Sequence, residues 1–120
     1  MTAGEAIAAA DSLRPNQYTA AQKLAWLRRL DGQIARELAD THEGEAPELP
    51  ESYESGSVLL APCPYDEELY TAYLFAQIDL NNAEIVKYNQ SVALLGAAWR
   101  QLADAWNRTR RPRSRGAFRL

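Results

Sequence analysis

"PYDEELYTAYLFAQIDLNNAEIVKYNQ" (residues 64–90), continued by "SVALLGAAWRQLADAWNRT" (residues 91–109), is the stretch that decides the fold. Apolar residues recur along it at spacings of three and four, which is the period of a helix that buries one stripe. Pro64 and the acids at 66–68 suit the first turn of a helix, because the positive end of the helix dipole favours negative charge. The stretch therefore predicts a long helical segment rich in aromatic residues.

The apolar stripe slips in phase between Leu80 and Ile85, which predicts a break in the helical segment. The break falls either near residues 81–82 or at residues 89–91, where Ser91 would cap a fourth helix. The predicted third and fourth helices span about 65–81 and 83–109 in the first case, and about 65–89 and 91–109 in the second.

Two further helical patterns precede this segment. Thr2 with Glu5, and Thr19 with Gln22, each fit a capping box, in which two side chains satisfy N–H groups at the start of a helix. The predicted helices span about 4–13 and 19–41. The second carries one apolar stripe, formed by Leu24, Leu27, Leu30, Ile34 and Leu38. With three to four helical patterns along the chain, we expect an all-α fold.

Length and composition indicate one small domain. The chain has 120 residues, of which 47% are apolar, and Cys63 is its single cysteine, so no disulfide can form within it. No apolar run approaches the roughly 20 residues that span a bilayer. Glu5 and Asp11 stand where a signal peptide would carry basic and apolar blocks. We therefore expect a protein made in the cytoplasm, without membrane association.

Charge divides the chain into an acidic body and a basic end. Residues 1–106 carry seven basic and sixteen acidic side chains, whereas residues 107–120 carry six arginines and no acid. We expect a helical domain over 1–109 and a flexible arm over 110–120, since such a composition favours disorder. An acidic body with a basic arm indicates that the arm meets an acidic partner, either a nucleic acid or a protein surface.

The connector over residues 42–64 is long and acidic. It holds five glutamates with interspersed proline and glycine, so it is not a core element. Its apolar piece, Val58, Leu59 and Leu60, is expected to cover another surface, and we take these three residues as candidates for a subunit interface.

The sequence carries no recognisable catalytic or metal-binding motif. It lacks a glycine-rich phosphate loop, a nucleophile elbow and the paired histidines of zinc hydrolases. His42 lies in the acidic connector and is expected to be solvated, and one cysteine with one histidine does not make a zinc site. We therefore expect no enzyme activity, no catalytic residue, no metal and no cofactor.

The helical stripes predict the core and one candidate interface. The expected core residues are Leu24, Leu27, Ile34, Tyr73, Tyr88, Trp99 and Leu102. The third helix also carries a second apolar ridge, formed by Tyr70, Leu74 and Ile78. A helix that is apolar on two faces is buried on two sides. In a domain of this size we expect the second side to contact another subunit.

The motifs of the chain resemble those of a known family. The relatives carry a P-Y-D-E-L-Y start, an A-Q-I-D-x-x-N centre, a Y-N-x-S step and a W-x-N-R end, with an A-D-x-L-R-P-N plus K-x-x-W-L-x-x-L-D-G lead. The matching positions are Pro64–Glu67, Leu69, Tyr70, Ala76–Asp79, Tyr88, Asn89, Ser91 and Trp106–Arg108, with the lead motifs inside residues 10–34. On these residues the chain resembles the small head–tail connector (adaptor) proteins of tailed bacteriophages and of prophages of Gram-positive bacteria. It departs from them at the extra Glu68, at the small Leu95–Gly96 pair and in its longer arginine-rich end.

The resemblance implies a structural protein of the virion neck. Such connectors assemble as rings, commonly of twelve subunits, beneath the portal. There they extend the DNA channel, let DNA pass without sequence-specific binding, and meet the next neck or tail protein. Their C-terminal segment reaches the portal. The resemblance thus implies a portal-docking arm made of Arg108, Arg110, Arg111, Arg113, Arg115 and Phe118.

Two other classes of protein remain open from the residues. One is a small helical nucleic-acid-binding protein that uses the arginine-rich tail, since arginine neutralises phosphate. The other is an interaction module that works as a monomer or dimer.

Overall fold

The computed structural model describes residues 1–113, and residues 114–120 lie outside the described part of the chain. The expectation of an all-α fold is confirmed. Residues 1–113 form four helices, α1 (Ala3–Leu13), α2 (Ala20–Thr41), α3 (Asp66–Asn81) and α4 (Ile85–Thr109). Among residues 1–113, no helix combines the length and the apolar character that crossing a membrane requires.

Both predicted capping boxes are present. The Thr2 hydroxyl accepts from the backbone N–H of Glu5 while the Glu5 side chain accepts from the N–H of Thr2, and Thr19 and Gln22 form the same reciprocal pair. Each box satisfies two N–H groups that a helix start leaves without an intrahelical partner. The start of each helix is therefore encoded locally, because the two side chains of each capping box lie only three residues apart in the sequence.

The break between the third and fourth helices lies at the first of the two predicted positions. α3 ends at Asn81, and Ala83 adopts a left-handed conformation with φ of 59° in the turn that follows. The backbone N–H of Glu84 donates to the carbonyl of Asp79 at 2.9 Å, which closes the turn. Ser91 caps no helix and is buried within α4. The α3–α4 pair is thus a helical hairpin.

α3 is the central helix, in contact with α1, α2 and α4. The assignment of its second ridge, Tyr70, Leu74 and Ile78, to a subunit interface is therefore wrong. All three side chains are at most 1% exposed within the single chain. Both faces of α3 are covered by elements of the same chain, because the small residues of α1 allow close packing and the connector is docked.

The expected core is largely confirmed. Leu27, Ile34, Tyr73 and Leu102 are buried, while Leu24 and Trp99 are partly buried and pack against the main cluster. Tyr88 is the exception, because it is half-buried and lines a small cavity beside the hairpin turn instead of the core. It belongs to the first half of α4, which extends beyond the cluster.

The acidic connector is docked through its apolar piece. Leu59 and Ala61 are buried, and the backbone N–H of Leu59 donates to the carbonyl of Met1 at 2.9 Å beside an antiparallel bridge between Thr2 and Val58. The Leu59 part of the predicted interface is therefore wrong, since this side chain belongs to the core. Leu60 is partly buried against the same cluster. Val58 is 75% exposed and stays a candidate contact.

Asp31 of α2 holds this connector in place. Its buried carboxylate accepts from the Tyr70 hydroxyl at 2.5 Å, from the Tyr53 hydroxyl at 2.6 Å and from the backbone N–H of Leu60 at 3.0 Å. The Tyr70 hydroxyl in turn accepts from the N–H of Ala61 at 2.8 Å. One carboxylate therefore joins α2, α3 and the connector.

Burial governs the ionisation of this cluster. Desolvation raises the pKa of Asp31, and the hydrogen bonds from Tyr53, Tyr70 and Leu60 oppose that rise because they favour the charged form. Desolvation likewise raises the pKa of Tyr53 and of Tyr70, and the neighbouring carboxylate adds to the rise. Both phenols therefore remain protonated donors.

Replacing Asp31 by alanine should lower the free energy of unfolding by about 3 kcal/mol. The substitution leaves the buried hydroxyls of Tyr53 and Tyr70 and the N–H of Leu60 without their acceptor, and each buried unpaired group costs roughly 1–3 kcal/mol. Urea unfolding measures the effect, with Asp40→Ala at an exposed site of the same helix as control. Equal stability of the two variants would contradict the role given to Asp31.

The stability conferred by Asp31 should fall as pH rises. Because the pKa of Asp31 in the folded chain lies above the unfolded value of 3.8, the folded state binds more protons between these two pH values. The difference in unfolding free energy between wild type and Asp31→Asn, which does not titrate, is therefore largest at acidic pH and shrinks as pH rises through the folded pKa. Urea unfolding in steps from pH 4 to 7 tests this, and a difference that grows with pH would refute it.

Candidate functional site

A buried polar cluster ties α1, α3 and α4 together. Ser91 donates from its hydroxyl to Asp79 Oδ2 at 2.8 Å, and the Arg14 guanidinium donates to the same carboxylate oxygen and to Ser91 Oγ at 3.2 Å. The guanidinium carbon also lies 4.4 Å from the centre of the Phe75 ring. Arg14, Asp79 and Ser91 come from three of the motifs on which the family resemblance rests.

A second set of motif residues fixes the link between α1 and α2. Lys23, which is 4% exposed, places its ammonium 2.9 Å from both carboxylate oxygens of Asp11, and Asn16 donates to the same carboxylate at 2.9 Å. The Tyr18 hydroxyl donates to Asn82 Oδ1 at 2.5 Å, which ties this link to the hairpin turn. Asp11, Asn16 and Lys23 thus position the link between α1 and α2.

His42 is not the solvated histidine that its acidic neighbourhood predicted. It is 5% exposed, its ring nitrogens lie 2.8 Å from Thr41 Oγ1 and from Asn107 Oδ1, and its ring packs edge-on against Trp106. The partner Asn107 lies 65 residues away in the sequence, so local composition carried no signal for it. His42 joins the end of α2 to the end of α4.

Within residues 1–113 no group of three or more histidine, cysteine, aspartate or glutamate side chains is arranged to hold a metal ion. Cys63 carries an exposed free thiol. Both carboxylate oxygens of Asp31 accept hydrogen bonds from the fold itself, whereas Asp79 accepts them at Oδ2 and its buried Oδ1 has no partner among residues 1–113.

The first half of α4 presents unpartnered apolar side chains to solvent. Ile85 is 71% exposed and Val86 72%, with Leu80 before the turn and Val92 one heptad after Ile85 also exposed. We call Leu80, Ile85, Val86 and Val92 the hairpin patch. The predicted α4 stripe thus enters the core only from Leu95 onward. Clustered apolar side chains on a surface mark interaction sites more often than scattered ones do.

A second apolar surface includes Leu94 and Ala97 of α4. A groove of about 510 Å³ runs between α1, α3 and α4. Its apolar lining is formed by Ala9, Leu13, Ala72, Phe75, Leu94 and Ala97. Leu13 and Leu94 are 72% and 60% exposed, and the exposed carboxylates of Glu67 and Glu68 line the groove as well. We call this surface the α1 groove.

The arginine-rich end remains in contact with the body through residue 113, beyond the predicted start of the free arm at residue 110. The backbone carbonyl of Thr41 accepts from the backbone N–H of Arg113 at 2.8 Å, and the backbone N–H of Glu43 donates to the carbonyl of Arg111 at 2.8 Å. These two hydrogen bonds flank an antiparallel bridge between His42 and Pro112. Residues 110–113 are therefore held as an extended segment against the end of α2. The predicted free arm from residue 110 is wrong for these four residues.

Arginine side chains strengthen this attachment. Arg113 Nε donates to the carbonyl of Ala39 at 2.6 Å, and Arg110 Nη1 donates to the carbonyl of Glu45 at 3.1 Å. The Arg111 guanidinium lies 3.5 Å from the Glu43 carboxylate, but 86% of its side chain is exposed, so this pair adds little.

The remaining arm residues divide into two groups. Arg108 donates to the Tyr65 hydroxyl at 2.8 Å, across the ends of the hairpin. Arg115 and Phe118 of the predicted arm lie outside the described residues.

Comparison of the chain with protein-family models, with curated proteins and with solved structures gave no significant match.

The Asp79 cluster generates a stability prediction. Asp79→Asn keeps the shape of the side chain but removes the charge that faces the Arg14 guanidinium, and breaking a buried pair costs roughly 3–5 kcal/mol. Since Arg14 is partly exposed, we expect a loss of about 3 kcal/mol, or a decrease of roughly 10 °C in Tm. Circular dichroism melting measures it, with Asp104→Asn at an exposed α4 site as control. Equal melting of both variants would show that the pair is not structural.

Proposed function

We propose that this chain is a head–tail connector of a tailed phage or prophage. It assembles as a ring, of about twelve copies by the family resemblance, beneath the portal protein. The ring extends the DNA channel and links the capsid to the next neck or tail protein. Its place of action is the virion head–tail junction, after synthesis in the cytoplasm of the bacterial host.

The observation that carries the proposal is where the family motifs fall in the fold. Arg14, Asp79 and Ser91, from three separate motifs, meet in one cluster in which Asp79 and Ser91 are buried. Asp11 and Lys23, from the two lead motifs, form another pair. These motif residues contact one another and hold the helices together. Such contacts support a helix packing shared with the family more strongly than matches at scattered positions would.

Ring assembly requires two different contact surfaces on each subunit. A head-to-tail contact joins two unlike patches. It forms a closed ring when the rotation from each subunit to the next adds up to a full turn. The hairpin patch and the α1 groove meet this requirement, because Ile85 and Val92 lie about 180° and 160° around α4 from Leu94 of the groove. We assign the ring contact to these two surfaces, with the hairpin patch of one subunit facing the groove of the next.

The arginine-rich end is assigned to the portal. Its attached part, through Arg113, sets the point from which the tail leaves the body. Arg108, Arg110 and Arg113 are engaged by the body, so Arg111, Arg115 and Phe118 are the arm residues assigned to direct portal contact. The acidic connector faces the channel or a neighbour, where carboxylates would let DNA pass without holding its phosphates.

Native mass spectrometry with and without portal particles of the same phage tests the function. We expect portal-dependent binding of about twelve copies, by the family resemblance and its closed ring. A chain that stays monomeric or dimeric and ignores the portal would overturn the proposal. Binding to DNA that weakens steeply with salt, in that case, would support the nucleic-acid-binding alternative.

The hairpin patch can be tested in the same experiment. Ile85→Glu combined with Val86→Glu should abolish multi-copy binding, because two carboxylates cannot be buried unpaired in an apolar contact. Gln17→Glu with Gln33→Glu adds the same charge at exposed polar sites and should assemble as wild type does. Circular dichroism checks that all variants fold. Normal assembly of the doubly substituted hairpin would remove this patch from the interface.

A further inference from the structure

An apolar pocket of about 240 Å³ lies between α2, the connector and the end of α4, and shares no lining residue with the hairpin patch or the α1 groove. Core side chains form its floor, among them Leu38, Leu102 and Trp106, each at most 7% exposed. Pro47 and Arg110, which are partly buried, stand at its mouth. An apolar cavity of about 150 Å³ holds a benzene molecule. This pocket therefore has room for an aromatic ring with a short substituent.

The guanidinium of Arg110 is held at this mouth by the backbone of the connector. Its Nη1 donates to the carbonyl of Glu45 at 3.1 Å, and it packs against Gly44. Gly44 has a φ of +116°, and a Cβ there would lie 2.9 Å from Arg110 Nη1, so a larger residue would displace the guanidinium. The ion pairs formed among residues 1–113 do not include Arg110. The connector thus positions this cation without neutralising its charge.

An apolar pocket with one fixed cation at its mouth has the chemistry of a site for an amphipathic anion. A guanidinium binds a carboxylate through two parallel N–H donors, and the side-chain hydrogen bond of Arg110 uses Nη1, which leaves Nε and Nη2 for a ligand. Glu45 and Glu48 line an adjoining hollow together with Arg110. Both glutamates are exposed, so solvent and salt screen their repulsion of an anion.

We propose that this pocket binds a small carboxylic acid whose apolar body is about the size of a benzene ring. The carboxylate pairs with Arg110, and the apolar body lies against Leu38, Leu102 and Trp106. Binding at this pocket does not depend on ring assembly, so a chain that ignores the portal should still bind the acid.

Titration of the full-length chain with phenylacetate tests the site. Binding is followed through the indole N–H resonance of Trp106 in heteronuclear NMR spectra at constant ionic strength. Phenylacetamide, which has the same shape without the charge, and acetate, which has the charge without the ring, are the matched probes. We expect phenylacetate to bind with a Kd of roughly a millimolar. Phenylacetamide should bind about tenfold more weakly, because it loses a charge-assisted hydrogen bond, and acetate should not saturate.

Two substitutions locate the site within the chain. Arg110→Gln should weaken phenylacetate binding about tenfold, whereas Arg111→Gln, an exposed arginine of the same segment, should leave it unchanged. Ala61→Leu should abolish binding, because it adds apolar atoms to the pocket wall. Circular dichroism checks that the variants fold, and the arginine pair and the two analogues decide the question if Ala61→Leu does not.

Three results would overturn the proposal. A Trp106 resonance that phenylacetate does not shift would show that the pocket binds no such acid. Equal affinities for phenylacetate and phenylacetamide, or equal losses in the two arginine variants, would remove Arg110 from the site. Saturable binding of acetate with the same affinity as phenylacetate would show a surface anion site without an apolar pocket.

Discussion

The buried carboxylate of Asp31 is the constraint on which the arrangement of this chain depends. Its three hydrogen bonds come from α3 and from two points of the connector, at Tyr53 and Leu60. A charged group is stable in an apolar interior only when several donors surround it, so the connector must follow one path across α2 and α3. That path brings Leu59 to the first residues of the chain and thereby positions α1 on the central helix.

The helices could be predicted from sequence because their signals are local. Capping boxes at Thr2 and Thr19, and the phase slip between Leu80 and Ile85, each lie within a few residues of the feature they encode. The burial of apolar faces could not be predicted in the same way. Tyr70, Leu74 and Ile78 form an apolar ridge whichever element covers it, and only the docked connector and the alanine-rich α1 decide that the cover is the chain itself.

The candidate site was harder to predict than the fold, because its contacts link distant positions. His42 meets Asn107, and residues 110–113 meet the end of α2, so neither composition nor periodicity marked them. The apolar stripe of α4 correctly predicted a helix, but not all of its residues lie in the core, since Ile85 and Val92 are exposed. These exposed residues and the α1 groove therefore replace the buried ridge of α3 as the candidate surfaces for subunit contacts.

The most direct test of this account is an electron cryomicroscopy reconstruction of the portal bound to this protein. The account predicts a closed ring in which Ile85 and Val86 of each subunit are buried against the α1 groove of the next, while Tyr70 stays inside its own subunit. The arginine-rich tail should leave each body at Arg113 and reach the portal. A portal that carries no copies of the chain, or a ring whose hairpin patches face solvent, would contradict it.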